Sequence, residues 1–70
     1  MDSEVQSEIG FAAGDIYRYL FEHGEASLTK LTKSVNHPQR RVDQALGWLA
    51  REDKVQFERV RRSTTVRLRT

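Results

Sequence analysis

The sequence predicts a small α+β domain: three helices, a short strand between the first two, and a C-terminal two-stranded hairpin. Apolar residues recur at three- and four-residue spacing through most of the chain. After Asp53 the period changes to two. Gly24 and the run Asn36-His37-Pro38 punctuate the helical part. With 70 residues, 37% hydrophobic and 31% charged, the chain has room for one domain over residues 1–70, with residues 1–4 expected to be disordered.

The first helix is expected over Ser3 to His23, where Val5, Ile9, Ala12, Ala13, Ile16 and Leu20 form a core face and Gly24 follows as the C′ residue. A second flank carries Gly10, Gly14, Tyr17 and Phe21. Glycine inside a helix costs about 1 kcal/mol relative to alanine. Two on one flank therefore suggest close approach of another element, internal packing ahead of a dimer seam. Glu25 to Leu28 suffices only for a bridge-like strand, after which Thr29 is expected to cap a short helix ending near Val35. Pro38 suits the first position of a third helix, with Asn36 or His37 as its cap. Val42, Ala45, Leu46 and Leu49 give that helix its buried stripe, and Arg40, Arg41, Gln44, Trp48 and Arg51 its outer face. Val55 and Phe57 alternate with polar residues, as do Val66 and Leu68. With no glycine or proline between Arg59 and Thr64, a loose hairpin loop is expected.

The net charge of +2 conceals a division: residues 1–25 sum to −5, and residues 26–70 to +7. A basic body behind an acidic segment points to a polyanionic partner. The chain is short for a deep pocket beside a stable core, so no enzyme and no small-molecule substrate are expected. Zero cysteines suit a reducing cytoplasm and remove thiolate metal sites. His23 and His37 are the only histidines and lack metal-ligand spacing, so no metal is expected. Gly10-x-x-x-Gly14 has no following Lys-Ser/Thr and sits in a helical pattern, so no phosphate loop and no cofactor are expected. Asp15, Arg18 and Glu22 exclude that helix from a membrane.

Two helices joined by a tight turn, the second with a basic outer face and followed by a basic hairpin, resemble a winged helix-turn-helix domain. Leu28-Thr29-Lys30-Leu31 resembles the opening of that family's second helix, and Val42 through Val55 its third helix running into the wing. More narrowly, Ile9 to Ile16 together with Ala45 to Glu52 is similar to a small group of stand-alone prokaryotic winged-helix proteins of uncharacterised function. The resemblance implies a third helix in the major groove of double-stranded DNA and a wing on the backbone, as in a transcriptional regulator or DNA-architecture accessory. Carried over by position, Gln39, Arg40, Arg41 and Gln44 would face bases, arginine forking onto guanine and glutamine onto adenine. Lys30, Lys33, Arg59, Arg61 and Arg62 would hold phosphates, with hydroxyls of Ser63, Thr64 and Thr65 beside them. His37 is a turn residue able to touch phosphate when protonated.

Two residues depart from that pattern. Asp43 would repel phosphate unless it meets a cytosine amino group or pairs with Arg40 or a lysine. Trp48 is large for a groove position and is expected to pack on the Gly10–Gly14 flank, with Gly47 easing the helices together; an interface anchor and a nucleic-acid contact are the alternatives. Tyr17, Phe21 and Trp48 mark the competing function, a winged helix that binds protein, as a homodimer or with another partner.

Overall fold

A computed structural model describes residues 3–69. The order is α1 (Ser3–His23), β1 (Glu25–Ser27), α2 (Leu28–Ser34), α3 (Gln39–Arg51), β2 (Val55–Val60) and β3 (Ser63–Leu68). The three strands form one antiparallel sheet in the order β1-β3-β2. Of the segment 1–4 expected to be disordered, residues 1–2 lie outside the described part, and Ser3 and Glu4 begin α1.

The core joins the expected stripes: Ala12, Ala13, Ile16 and Leu20 from α1, Leu31 and Val35 around α2, and Val42, Ala45, Leu46 and Leu49 from α3. The sheet closes it with Ala26, Val55 and Val66. Val5 is not part of this core but exposed. At about 1.5 Å per residue, α1 is longer than α3 by roughly 12 Å, so its first turn overhangs the helix that would cover it.

Helix ends explain the connections. Gly24 adopts φ +89° and its N–H reaches the Leu20 carbonyl at 2.8 Å, the left-handed stop for which glycine is suited. Asp53 performs the same service after α3 at φ +62°: its N–H meets Ala50 O and the Lys54 N–H meets Leu49 O, a Schellman pair. The cap of α2 is Ser27, whose hydroxyl accepts from the Lys30 N–H, and not Thr29. Pairing with Thr65 holds Ser27 extended at the end of β1, so the helix begins one residue later. Pro38 precedes α3 as its N-cap, and neither Asn36 nor His37 supplies a side-chain cap.

His37 is drawn elsewhere. Its Nε2–H donates to Asp15 Oδ2 at 2.8 Å, and the ring stands edge-on to Phe11 with centroids 5.7 Å apart. The turn that launches α3 is thereby fastened to α1. This bond engages Nε2 of the turn residue that the sequence offered as able to touch phosphate.

The glycines also correct the reading from sequence. A Cβ placed on Gly10, Gly14 or Gly47 would meet nothing within 4 Å, so none is required by close helix packing. Trp48 borders Gly14 and Tyr17 on that flank but does not fill the space over the glycines, and it remains 43% exposed. Gly10→Ala and Gly14→Ala should therefore each stabilise the fold by about 0.5–1 kcal/mol through helix propensity. Urea denaturation checks this; destabilisation by either change would restore the close-packing explanation.

The His37 hydrogen bond lowers the Asp15 pKa, partial burial opposes it, and the Arg18 guanidinium 3.1 Å away lowers it further. A carboxylate depressed on folding contributes stability that is complete above its unfolded pKa, about 3.9, and is lost as pH falls through the folded value. Asp15→Asn should thus be less stable than the parent above about pH 4, with the gap closing below it. Thermal unfolding of both proteins across pH 2–7 measures the gap.

Candidate nucleic-acid interface

The outer surface of α3 is set by its buried stripe, which turns Arg40, Asp43, Gln44, Gly47 and Arg51 away from the core. The four expected base-facing residues differ in their freedom. Arg40 is exposed and has no ion-pair or hydrogen-bond partner among the described residues. Gln39 Nε2 donates to Asp43 Oδ1 at 2.9 Å. That bond is the partner Asp43 takes in place of the expected Arg40 or lysine. Arg41 is largely covered: Nη2 donates to Glu8 Oε1 on α1 at 2.6 Å, and Nη1 to Gln44 Oε1 at 2.8 Å.

Phosphate candidates surround this helix. Lys30 and Lys33 are exposed on α2. Lys33 and Gln39 line one shallow cleft with Thr29 and Thr32, so the two helices present a cation and an amide together. The hairpin pairs Val55 with Leu68 at its base and Val60 with Ser63 at its end. Only Arg61 and Arg62 remain between the strands, so the loop is tight and not loose. Arg61 makes this turn at φ +57°, a conformation usually given to glycine, and so no sequence signal announced it. Both arginines sit at the tip of a wing that reaches roughly 17 Å from its base at about 3.4 Å per residue. Arg59 lies opposite Thr64 just below; Ser63 is exposed, and Thr64 and Thr65 are half-buried.

The charges sort themselves by pairing. Among the described residues, five acids take up a separate set of arginines, Asp15 with Arg18, Glu8 with Arg41, Glu25 and Glu58 with Arg67, and Asp53 with Arg69, whereas Glu4, Glu22, Asp43 and Glu52 have no ion pair. Lys30, Lys33, Arg40, Arg51, Lys54, Arg59, Arg61 and Arg62 have no acidic partner among those residues. Every one lies on α2, α3, the wing or the link into it. Arg51 and Lys54 were not singled out as contacts in the sequence. Arg51 was findable, seven residues after Gln44 on one helical face, and it lines a cleft with Gln44, Gly47 and Trp48. Lys54 follows the helix stop and has no periodic signal.

The three apolar candidates divide. Tyr17 and Trp48 line one shallow cleft together with Ala13, Gly14 and Leu49. Phe21, 74% exposed, lines another with Leu20, Gly24 and Leu68. Among the described residues no cluster of histidines and acids suited to a metal occurs, and no helix is long and apolar enough to cross a membrane.

The comparisons with known proteins agree with this architecture. A family model described as a winged helix-turn-helix domain, DUF2582, matches residues 1–68. An uncharacterised protein of Methanocaldococcus jannaschii is 42% identical over 55 residues, covering 74% of this chain and 77% of its own. No solved structure matches. Helix order, wing and family model agree, and the chain belongs to the winged helix-turn-helix domain family DUF2582.

Proposed function

We propose that this protein binds double-stranded DNA, with α3 in the major groove and the wing along the backbone, as a non-enzymatic cytoplasmic regulator of transcription or DNA-architecture accessory. The observation that carries the reading is the sorting of charge. Five acidic groups pair with Arg18, Arg41, Arg67 and Arg69, while Lys30, Lys33, Arg40, Arg51, Lys54, Arg59, Arg61 and Arg62 have no acidic partner among the described residues. Unpaired cations exchange condensed counterions for phosphates, which drives polyanion binding. Lys30, Lys33, Arg59, Arg61 and Arg62 then hold the backbone, and Arg40 and Gln44, on the outermost stripe of α3, meet base edges.

A second reading, a protein-interaction surface, is favoured by Tyr17 and Trp48 lining one cleft, with Phe21 exposed one helical turn further. Sedimentation equilibrium decides between monomer and dimer. A dimer dispersed by Phe21→Glu would place a self-interface on α1.

The DNA reading is tested by fluorescence anisotropy with a mixed-sequence duplex across a salt series. About five phosphate contacts should give a slope of log affinity against log salt near −4.5. Arg61→Gly should make that slope shallower by about 0.9 and leave the wing folded, because glycine suits the φ of +57° that Arg61 adopts. Arg40→Ala should weaken binding and also reduce discrimination between duplex sequences. Binding that ignores salt, or no binding at low salt, would overturn the proposal.

A further inference from the structure

We propose that Glu8 is a positioning residue for the reading face of α3: it holds Arg41 off the DNA and turns the Gln44 amide so that its –NH2 group leads outward. The inference rests on the DNA reading and deepens it to what the third helix selects.

The contacts form a relay from α1 to α3. The Glu8 carboxylate accepts from Arg41 Nη2 at 2.6 Å across 33 residues of sequence, and Arg41 Nη1 donates to Gln44 Oε1 at 2.8 Å. The Arg41 side chain is only 18% exposed, against 59% for Glu8, so the guanidinium lies down between the helices while the carboxylate stays wet. A guanidinium has donors only. The side-chain oxygen of Gln44 must therefore face Arg41, and the amide –NH2 faces away.

That orientation decides what Gln44 recognises. A free glutamine reads adenine with both ends, its oxygen accepting from N6 and its nitrogen donating to N7. With the oxygen turned toward Arg41 and one of its lone pairs taken, the –NH2 group leads, which suits guanine O6 and N7 or thymine O4 ahead of the two-ended adenine contact. Gln39 is set the opposite way: one N–H of its amide is turned to Asp43 and its oxygen is left to accept. Around Arg40, α3 thus presents an acceptor near its start and a donor one turn later. A released Arg41 would add a long, mobile cation able to reach any nearby phosphate or guanine. It would raise affinity and blur selection.

The test compares the full chain with Glu8→Gln, Glu22→Gln and Glu8→Gln/Arg41→Ala, using anisotropy on a mixed-sequence duplex and on duplexes selected from a random library by the parent protein. Glu22 stands on the same helix without an ion pair among the described residues, so its variant repeats the charge change away from Arg41. Glu8→Gln should bind the mixed duplex roughly fivefold tighter and steepen the salt slope by about 0.9, one added phosphate contact. Its preference for the selected duplex should fall. The double variant should lose the added slope. If Glu8→Gln only matches Glu22→Gln, or binds more weakly, the role assigned to Glu8 is overturned, while a parent still weakened by Arg61→Gly leaves the DNA reading standing. A parent without salt-dependent binding overturns both.

Discussion

The pairing of β1 with β3 is the constraint on which the rest of this small protein depends. Three register pairs, Glu25 with Arg67, Ala26 with Val66 and Ser27 with Thr65, join the N-terminal helix to the last strand. Ser27 then stops being strand and becomes the cap of α2. Val66, fully buried, faces Phe57 on its other side and so carries the register into the wing. One short ladder thereby fixes where α2 starts and where the hairpin leaves the body. An isolated two-stranded hairpin is marginal in water, and a third strand and a helical layer remove that weakness.

Electrostatics is arranged on top of that frame. Glu8 and Asp15 on α1, Asp53 at the foot of α3, and Glu25 and Glu58 on the sheet are matched to neighbouring arginines, and Lys30, Lys33, Arg40, Arg51, Arg61 and Arg62 are not matched to acids among the described residues. Exposed ion pairs contribute little to stability, typically under about 1 kcal/mol each. Their consequence lies in which cations they leave available. The Asp15–His37 bond differs in kind, because His37 is mostly covered and fastens the turn before α3 to α1. Orientation of the outer helix thus depends on a contact outside that helix.

Much of this fold was legible in the chain because it rests on periodicity and end signals. The stripe Val42-Ala45-Leu46-Leu49, the stop at Gly24 and the change of period after Asp53 each report a local rule, and each appears in the structure. What escaped depends on partners distant in sequence or on conformations the residue type does not advertise. Ser27 displaced Thr29 as a cap because a strand from the other end of the chain holds it. The tight wing turn escaped because Arg61 and not glycine takes the positive φ. Gly10, Gly14 and Gly47 misled by their spacing, since absence of a side chain shows that room was made and not that anything fills it. For the candidate site, the residue types were readable in order, whereas their freedom was not. Glu8 and Asp43 choose which of Arg41, Gln44 and Gln39 keep open hydrogen-bonding groups; the Glu8 bond is tertiary, across 33 residues, whereas Gln39 and Asp43 are four apart on one helix, a spacing the sequence does show.

The most direct measurement of the central claim, that the unpaired cations of α2, α3 and the wing form one DNA-facing side, is a nitrogen–proton NMR titration of the whole chain with a mixed-sequence duplex at low salt. Amides of residues 39–51 and 59–65 should shift together, with Lys30 and Lys33 following. Shifts confined to residues around Tyr17, Phe21 and Trp48, or none in the helix and wing, would contradict it.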